Sequence, residues 1–450
     1  MMRKKYLMGI LFAVCVLSGC AQSVVAEEQR LGEEVISEET ISKETLIAES
    51  RVEETMDYND TQTKEENKVY TDCSYEALKE FSYRLFQENM EEENPVLSPV
   101  SAYVALSMVG IGAQNGTKEE FTSVLGDYAD ITAICDNIMT TLPTSSENTT
   151  VTLANSVWVD DAFTVYDDWL ADTTSTMRSE VFNINLSDPD VVGKMNDWVK
   201  RNTNGLIEDI VDGPFDDSAS LALFNTLYFK AKWENSFAPE SVYEDTFYTE
   251  EKNEQNTQMM HKESELQYIA NDFAEGVILP YISMEEKDGN FAFVALKPIE
   301  EDTAIRDVCD ELTETVIEEM LQNKQIMRIN LKLPKFEMSF DKELNESLEN
   351  MGLKSAFNAA GADFGGIGKS SFDSQGNNLY IDLVRQKAKI IVDEEGTEAA
   401  AATGIMMRFA AARPQEAKDV WFDRPFVYLI MDMDKEIPLF IGIFDRPIGL

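Results

Sequence analysis

Read at period two from Thr397, the chain puts Thr397, Ala399, Ala401, Thr403, Ile405, Met407 and Phe409 on one face. Glu398, Ala400, Ala402, Gly404, Met406 and Arg408 fall on the other. Both charges share a face, so the pattern suits a strand laid in a sheet with its uncharged face on a core. Alanine runs flanked by glycine have weak strand propensity, however, and nothing obliges this one to be buried at rest. The segment reads as a loop that becomes a strand. Further upstream, Leu344 to Phe357 has the periodicity of a helix. At the N-terminus Arg3, Lys4 and Lys5 precede an apolar run from Leu7 to Leu17, which is short for a membrane span and predicts a secretion signal. From Glu27 to about Lys68 the pattern is polar throughout, with 14 acids against 5 bases and no aromatic before Tyr58. Such a segment solvates and repels itself, which predicts a flexible linker spanning about 40 Å.

Charge and candidate chemistry narrow the reading. A net charge of -45 disfavours nucleic acid and other polyanionic partners. The one histidine, His261, lies in a polar stretch, no Gly-x-Ser-x-Gly elbow exists, and no residue pair has zinc spacing, so no hydrolytic enzyme, metal or cofactor is expected. Asp363-Phe364-Gly365-Gly366-Ile367-Gly368-Lys369-Ser370 ends like a phosphate loop, but Asp363 stands where the first glycine belongs. The segment before it is helical rather than strand-like, so the required context is missing and a surface connection is expected. After the leader, Cys73, Cys135 and Cys309 remain besides Cys20, an odd set without Cys-x-x-Cys pairs, expected as buried or idle thiols.

Ordered blocks along the chain carry a family resemblance. They are Asn94-Pro95-Val96-Leu97-Ser98-Pro99 with Ser101, Ala154-Asn155-Ser156-Val157-Trp158, and Asn196-Asp197-Trp198-Val199 with Thr203-Asn204-Gly205. Phe224 to Trp233 follows, then Leu279-Pro280-Tyr281, Leu333-Pro334-Lys335-Phe336 and Met351-Gly352-Leu353 with Ala356-Phe357 and Ala362-Asp363-Phe364. Glu394-Glu395-Gly396-Thr397-Glu398-Ala399-Ala400-Ala401-Ala402-Thr403 comes next, and the chain closes on Asp423-Arg424-Pro425-Phe426 and Phe440-Ile441-Gly442. The set resembles the serpins over residues 71–450, with Glu394 to Thr403 similar to the hinge of their reactive-centre loop.

The resemblance implies an α+β fold of about three sheets and eight or nine helices, in one large domain, with a reactive loop at about 394–418. It implies an inhibitor rather than an enzyme, one that forms a covalent acyl-enzyme with a serine protease and then inserts its hinge into the central sheet; a non-inhibitory binding or surface protein on the same fold is the alternative. Positions Thr397 to Met407 hold no proline and no inward charge, which suits fast insertion. Family spacing from Gly396 implies a reactive bond between Ala410 and Ala411, an elastase-like bait with Phe409 and Ala412 beside it. Arg408 or Arg413 remain alternatives for trypsin-like or subtilisin-like targets. Ser98, Ser101 and Asn225 match the family's sheet-opening cluster, with Gln386 where a histidine is usual and Trp233 where the loop begins to enter. No basic helix of the kind heparin-binding members carry is present, and a monomer is expected.

Leu17-Ser18-Gly19-Cys20 resembles the bacterial lipoprotein processing box. It implies a leader over 1–19, lipid on Cys20, an acidic tether over 20–70, and a head held outside the cytoplasmic membrane through that anchor alone. Stable attachment needs more than one acyl chain. Cys20→Ser should therefore release the protein or leave it unprocessed, and mass spectrometry of the wild-type N-terminal peptide should show the lipid. Wild-type protein found wholly in the medium, with an unmodified N-terminal peptide, would exclude the anchor.

Overall fold

The computed structural model describes residues 74–91, 93–282, 290–370, 378–397 and 416–448. The leader, Cys20, the acidic stretch, Cys73, the hinge residues Glu398 to Thr403 and the whole set Arg408 to Arg413 lie outside them. Among the described residues there are nine α-helices and three sheets.

Helix Pro99–Gly110 explains much of the core. Its sequence is apolar all round, so it can only be stable when covered on every side. Each of its twelve residues is buried, and the proline at its first turn needs no hydrogen-bond partner there. Strands Thr149–Val159, Leu221–Lys232 and Ile437–Phe444 pack around it.

The strand Leu221–Lys232 forms the middle of a seven-stranded sheet. It pairs antiparallel with Thr149–Val159 along that strand's full length, Thr149 opposite Ala231 and Val159 opposite Leu221. Ten of its twelve residues are buried; only Lys230 and Lys232 are partly exposed. Two covers account for this: helix Pro99–Gly110 on one face and, over the other, helix Asp190–Asn202, which packs Met195, Trp198 and Val199 with Trp158, Phe182 and Phe224. Trp158 stacks on Phe182 with ring centroids 3.9 Å apart.

On the far side lies Leu383–Val392, whose residues alternate between partly exposed and buried. The alternation follows from its sequence: Val384, Gln386, Ala388, Ile390 and Val392 face the core, while Arg385, Lys387 and Lys389 face outward. The outward cations are answered by Asp341, Asp209 and Glu337. Phe336–Glu343 closes that edge.

The nine-stranded sheet runs Val96–Leu97, Ile437–Phe444, Phe426–Asp432, Phe291–Pro298, Ala274–Pro280, Glu254–Ala270, Gln325–Pro334, Lys418–Trp421, with Val242–Tyr248 also on Glu254–Ala270. The third sheet pairs Phe163–Val165 with Gly368–Ser370. The amides before that last strand bond within the chain: Gly365 donates to Asp363, Gly366 to the Gly112 carbonyl and Ile367 to the Phe364 carbonyl. Cys135 and Cys309 are buried thiols outside any disulfide, and burial pushes the Cys309 thiol up.

One element is shorter than its pattern. The periodicity from Leu344 to Phe357 becomes a helix only over Asn345–Met351. Gly352, at φ 128°, ends it in a backbone conformation that residues with a side chain rarely adopt.

Candidate functional site

At the end of Leu383–Val392 the chain reverses on Asp393. Its carboxylate oxygen accepts from the amides of Glu395 at 2.9 Å and Gly396 at 3.1 Å, and its own amide donates to the Gly396 carbonyl at 2.9 Å. Burial raises the Asp393 carboxyl above its ordinary value despite those two donors. Gly396–Thr397 then enters the seven-stranded sheet, antiparallel to both neighbours. Thr397 faces Val392 on one side and Ala231 on the other, and Gly396 faces Lys232. Only glycine fits at 396: a Cβ there would lie 2.1 Å from the Ala231 carbonyl oxygen.

Each residue from Asp393 to Thr397 is held. Phe237 donates its amide to the Glu394 carbonyl at 2.8 Å, and Trp233 donates its amide to the Glu395 carbonyl at 2.9 Å. The indole N–H of Trp233 donates to the Asp393 carbonyl at 2.8 Å, and its ring stacks on Tyr281 with centroids 4.6 Å apart. The Tyr281 and Thr397 hydroxyls lie 2.6 Å apart, both residues buried, and burial drives the phenol's pKa upward. Glu394 pairs with Lys335 at 2.7 Å. Burial alone would raise the Glu394 carboxyl, but the hydrogen bond and charge of Lys335 hold it below its usual value.

Lower in the same sheet, Leu383–Gln386 pairs directly and in parallel with Ala222–Asn225. The last of these pairs sets Gln386 opposite Asn225. The Gln386 amide donates to the Ser98 carbonyl at 2.8 Å and to Asn225 Oδ1 at 3.3 Å, while its oxygen accepts from the Ser98 amide at 3.0 Å. Ser101 Oγ donates to the same Asn225 oxygen at 2.7 Å. All four residues are buried, so Gln386 brings both a donor and an acceptor to a place where water cannot substitute. The Ser98 hydroxyl itself has no partner among the described residues.

The structure thus brings Ser98, Ser101, Asn225 and Gln386 into one cluster, and sets Trp233 against Glu394 to Thr397 above it. Lys335, Tyr281, Phe237 and Asp393 were not read as site residues from the sequence. Lys335 and Tyr281 do stand inside blocks that carry the family resemblance, which was the available signal; nothing local marks Phe237. His261 stacks on Tyr243 and faces Asp245 at 3.6 Å, far in sequence from any nucleophile motif. Among the described residues no group of three His, Cys, Asp or Glu is placed to hold a metal ion.

A family model described as "Serpin (serine protease inhibitor)" matches residues 76–447. The chain belongs to the serpin family. It is 30% identical over 384 residues to Serpin-Z2B of Triticum aestivum, covering 82% of this chain and 95% of that one. It is 29% identical over 374 residues to the plasma serine protease inhibitor of Bos taurus, covering 81% and 88%. Among solved structures, the native state of the thermophilic serpin tengpin superposes with a TM-score of 0.75 at 32% identity, covering 83% of this chain and 94% of that one. The thyroxine-binding globulin complex with thyroxine superposes with a TM-score of 0.71 at 21% identity, which shows a shared fold.

Two outcomes follow from the site. Gln386→Ala takes away the acceptor of the buried Ser98 amide, an orphan that costs about 1–3 kcal/mol, while the Ser98 carbonyl keeps the Ala102 amide. The variant should unfold or convert to an inert form faster on warming, while Gln386→His should lose less; equal rates for both variants and the wild type would remove the cluster's role. The second outcome concerns acid. A carboxyl held below its usual pKa stabilises the fold above its unfolded pKa and loses that contribution as pH falls through the lowered value. Wild-type stability should therefore carry a modest acid-side loss, about 1 kcal/mol or less, that Lys335→Met abolishes. Matching urea midpoints for the two proteins at pH 7 and again near pH 3 would contradict it.

Proposed function

We propose that this serpin is an irreversible inhibitor of extracellular serine proteases that works by inserting its cleaved loop into the seven-stranded sheet. One observation carries the reading. Gly396–Thr397 already lies between Leu221–Lys232 and Leu383–Val392, in a register that can continue downward. Continued two residues at a time, that register would set Ala399 between Phe229 and Ile390, and Ala401 between Leu227 and Ala388. Thr403 would come between Asn225 and Gln386, and Ile405 between Leu223 and Val384. The uncharged face of the loop would meet the buried face of both neighbours.

The chemistry is borrowed from the target. The protease serine attacks the carbonyl carbon of Ala410, forming an ester and expelling the amine of Ala411, which takes the proton relayed by the protease's own base. The freed hinge then inserts and carries the acylated protease with it before water completes hydrolysis. About a dozen residues gaining about 1 kcal/mol net per hydrogen bond, plus side-chain burial, supply on the order of 10 kcal/mol. The uninserted state is then held kinetically. Small residues from Phe409 to Ala412 fit the shallow pocket of an elastase-like enzyme, with the head held outside the membrane by lipid on Cys20.

A protease panel tests this. Elastase-like enzymes should give an adduct that survives SDS and a released fragment beginning at Ala411. Thr397→Arg buries an unpaired guanidinium at a cost of several kcal/mol where insertion begins, and should turn the inhibitor into a substrate. Glu398→Arg should be milder, and Ala410→Arg should shift preference to trypsin-like enzymes. Cleavage by every protease without any adduct would indicate a serpin that does not inhibit. Trapping of a trypsin-like enzyme alone, at Arg408 or Arg413, would correct the target class.

A further inference from the structure

A cleft of about 470 Å³ opens over the upper half of the central strand. Its walls include Lys230 and Lys232, Thr150 and Thr152 of the neighbouring strand, and Arg201 from the last turn of helix Asp190–Asn202. Lys230 and Lys232 are two residues apart, so they share the outer face of the sheet. Among the described residues neither ammonium forms an ion pair, while Arg201 is held by Glu180 at 3.1 Å. Glu147 is the one carboxylate on the cleft wall. A chain with 83 acids against 38 bases thus leaves two lysines without a carboxylate partner on the strand that the hinge joins.

The hinge register says what those lysines face next. Gly396 lies opposite Lys232 and Thr397 opposite Ala231, so a strand continued in that register would bring the following residue opposite Lys230. That residue is Glu398, the one acid between Thr397 and Gln415. On the other neighbour the same step reaches Ile391, and the nearest cation on that face, Lys389, is already held by Glu337 at 2.7 Å.

We propose that this cleft is a carboxylate-binding site whose occupant is Glu398, delivered to Lys230 as the loop enters the sheet. The assignment rests on the insertion reading above and gives that step a positioning residue. The need for one is physical. Ala399 to Ala402 are four identical small side chains, so a two-residue slip keeps every face correct and is only weakly opposed by packing. An acid opposite a lysine at the first step beyond Thr397 removes that degeneracy before the alanines engage. Lys232 beside it holds the incoming carboxylate in a positive field.

The test nicks the full-length protein in its loop with a metalloprotease, which forms no acyl-enzyme and so isolates insertion, and follows tryptophan emission and heat resistance. Lys230→Glu and Glu398→Lys should each slow insertion about two- to fivefold at low salt, and the double reversal should restore the wild-type rate. Coupling between the two should vanish near 1 M salt, which a purely structural role of either residue would not do. Lys118→Glu, on an exposed helix position, should leave the rate unchanged. The neutral pair Lys230→Gln and Glu398→Gln gives the same cycle should a reversal fail to fold. Normal wild-type insertion with simply multiplicative effects in the double variant overturns this assignment alone. A nicked wild-type protein with no change in emission or heat resistance overturns the insertion reading, and this assignment with it.

Discussion

The approach of Gly396 to the Ala231 carbonyl, where a Cβ would sit only 2.1 Å from the oxygen, is the constraint on which the rest of the molecule depends. It lets one extra backbone lie between two strands that pair directly lower down. The reversal at Asp393, the Trp233 and Tyr281 stack and the Lys335 clamp all hold that backbone at the top of the sheet. Without the close approach these contacts would anchor a loop outside the sheet rather than the first two residues of a strand within it.

Two arrangements oppose each other along the same pair of strands. At the top the sheet holds Gly396 and Thr397 between two of its strands. In the lower half, Gln386 bonded to Ser98 and Asn225 joins the strands in a buried cluster. Breaking that cluster leaves the buried Ser98 amide without its acceptor, so it resists opening more strongly than its few hydrogen bonds would as net gains. Arg385 and Lys387 reinforce the outer face through Asp341, and Lys387 also reaches Asp209 beyond the end of helix Asp190–Asn202. In the proposed mechanism the inserting strand would part these contacts and bring its own ladder hydrogen bonds in exchange.

Much of this was legible in the sequence because it rests on residues with narrow uses. Glycine at 396 and the small residues beyond it could be read by type and spacing, while the polar set at Ser98, Ser101 and Asn225, with Gln386 counted back from Gly396, came from the family resemblance. Its compatibility with the cluster follows from an amide that both donates and accepts. What could not be read was partnership across long separations. Lys335 and Glu394 are an ordinary base and acid until the fold sets them 2.7 Å apart, and Tyr281 is one aromatic among many until its hydroxyl meets Thr397. The helix expected to Phe357 stopped at Met351 because Gly352 takes a backbone conformation that periodicity does not encode.

The central claim is that the sheet gains a strand when the loop is cut. Thermal unfolding of the purified protein before and after a single nick between Gly404 and Arg413 tests it most directly. A nicked form that unfolds well above the intact one, by tens of degrees if the gain is on the order of 10 kcal/mol, is the expected result. A nicked form that melts at or below the intact protein would contradict it.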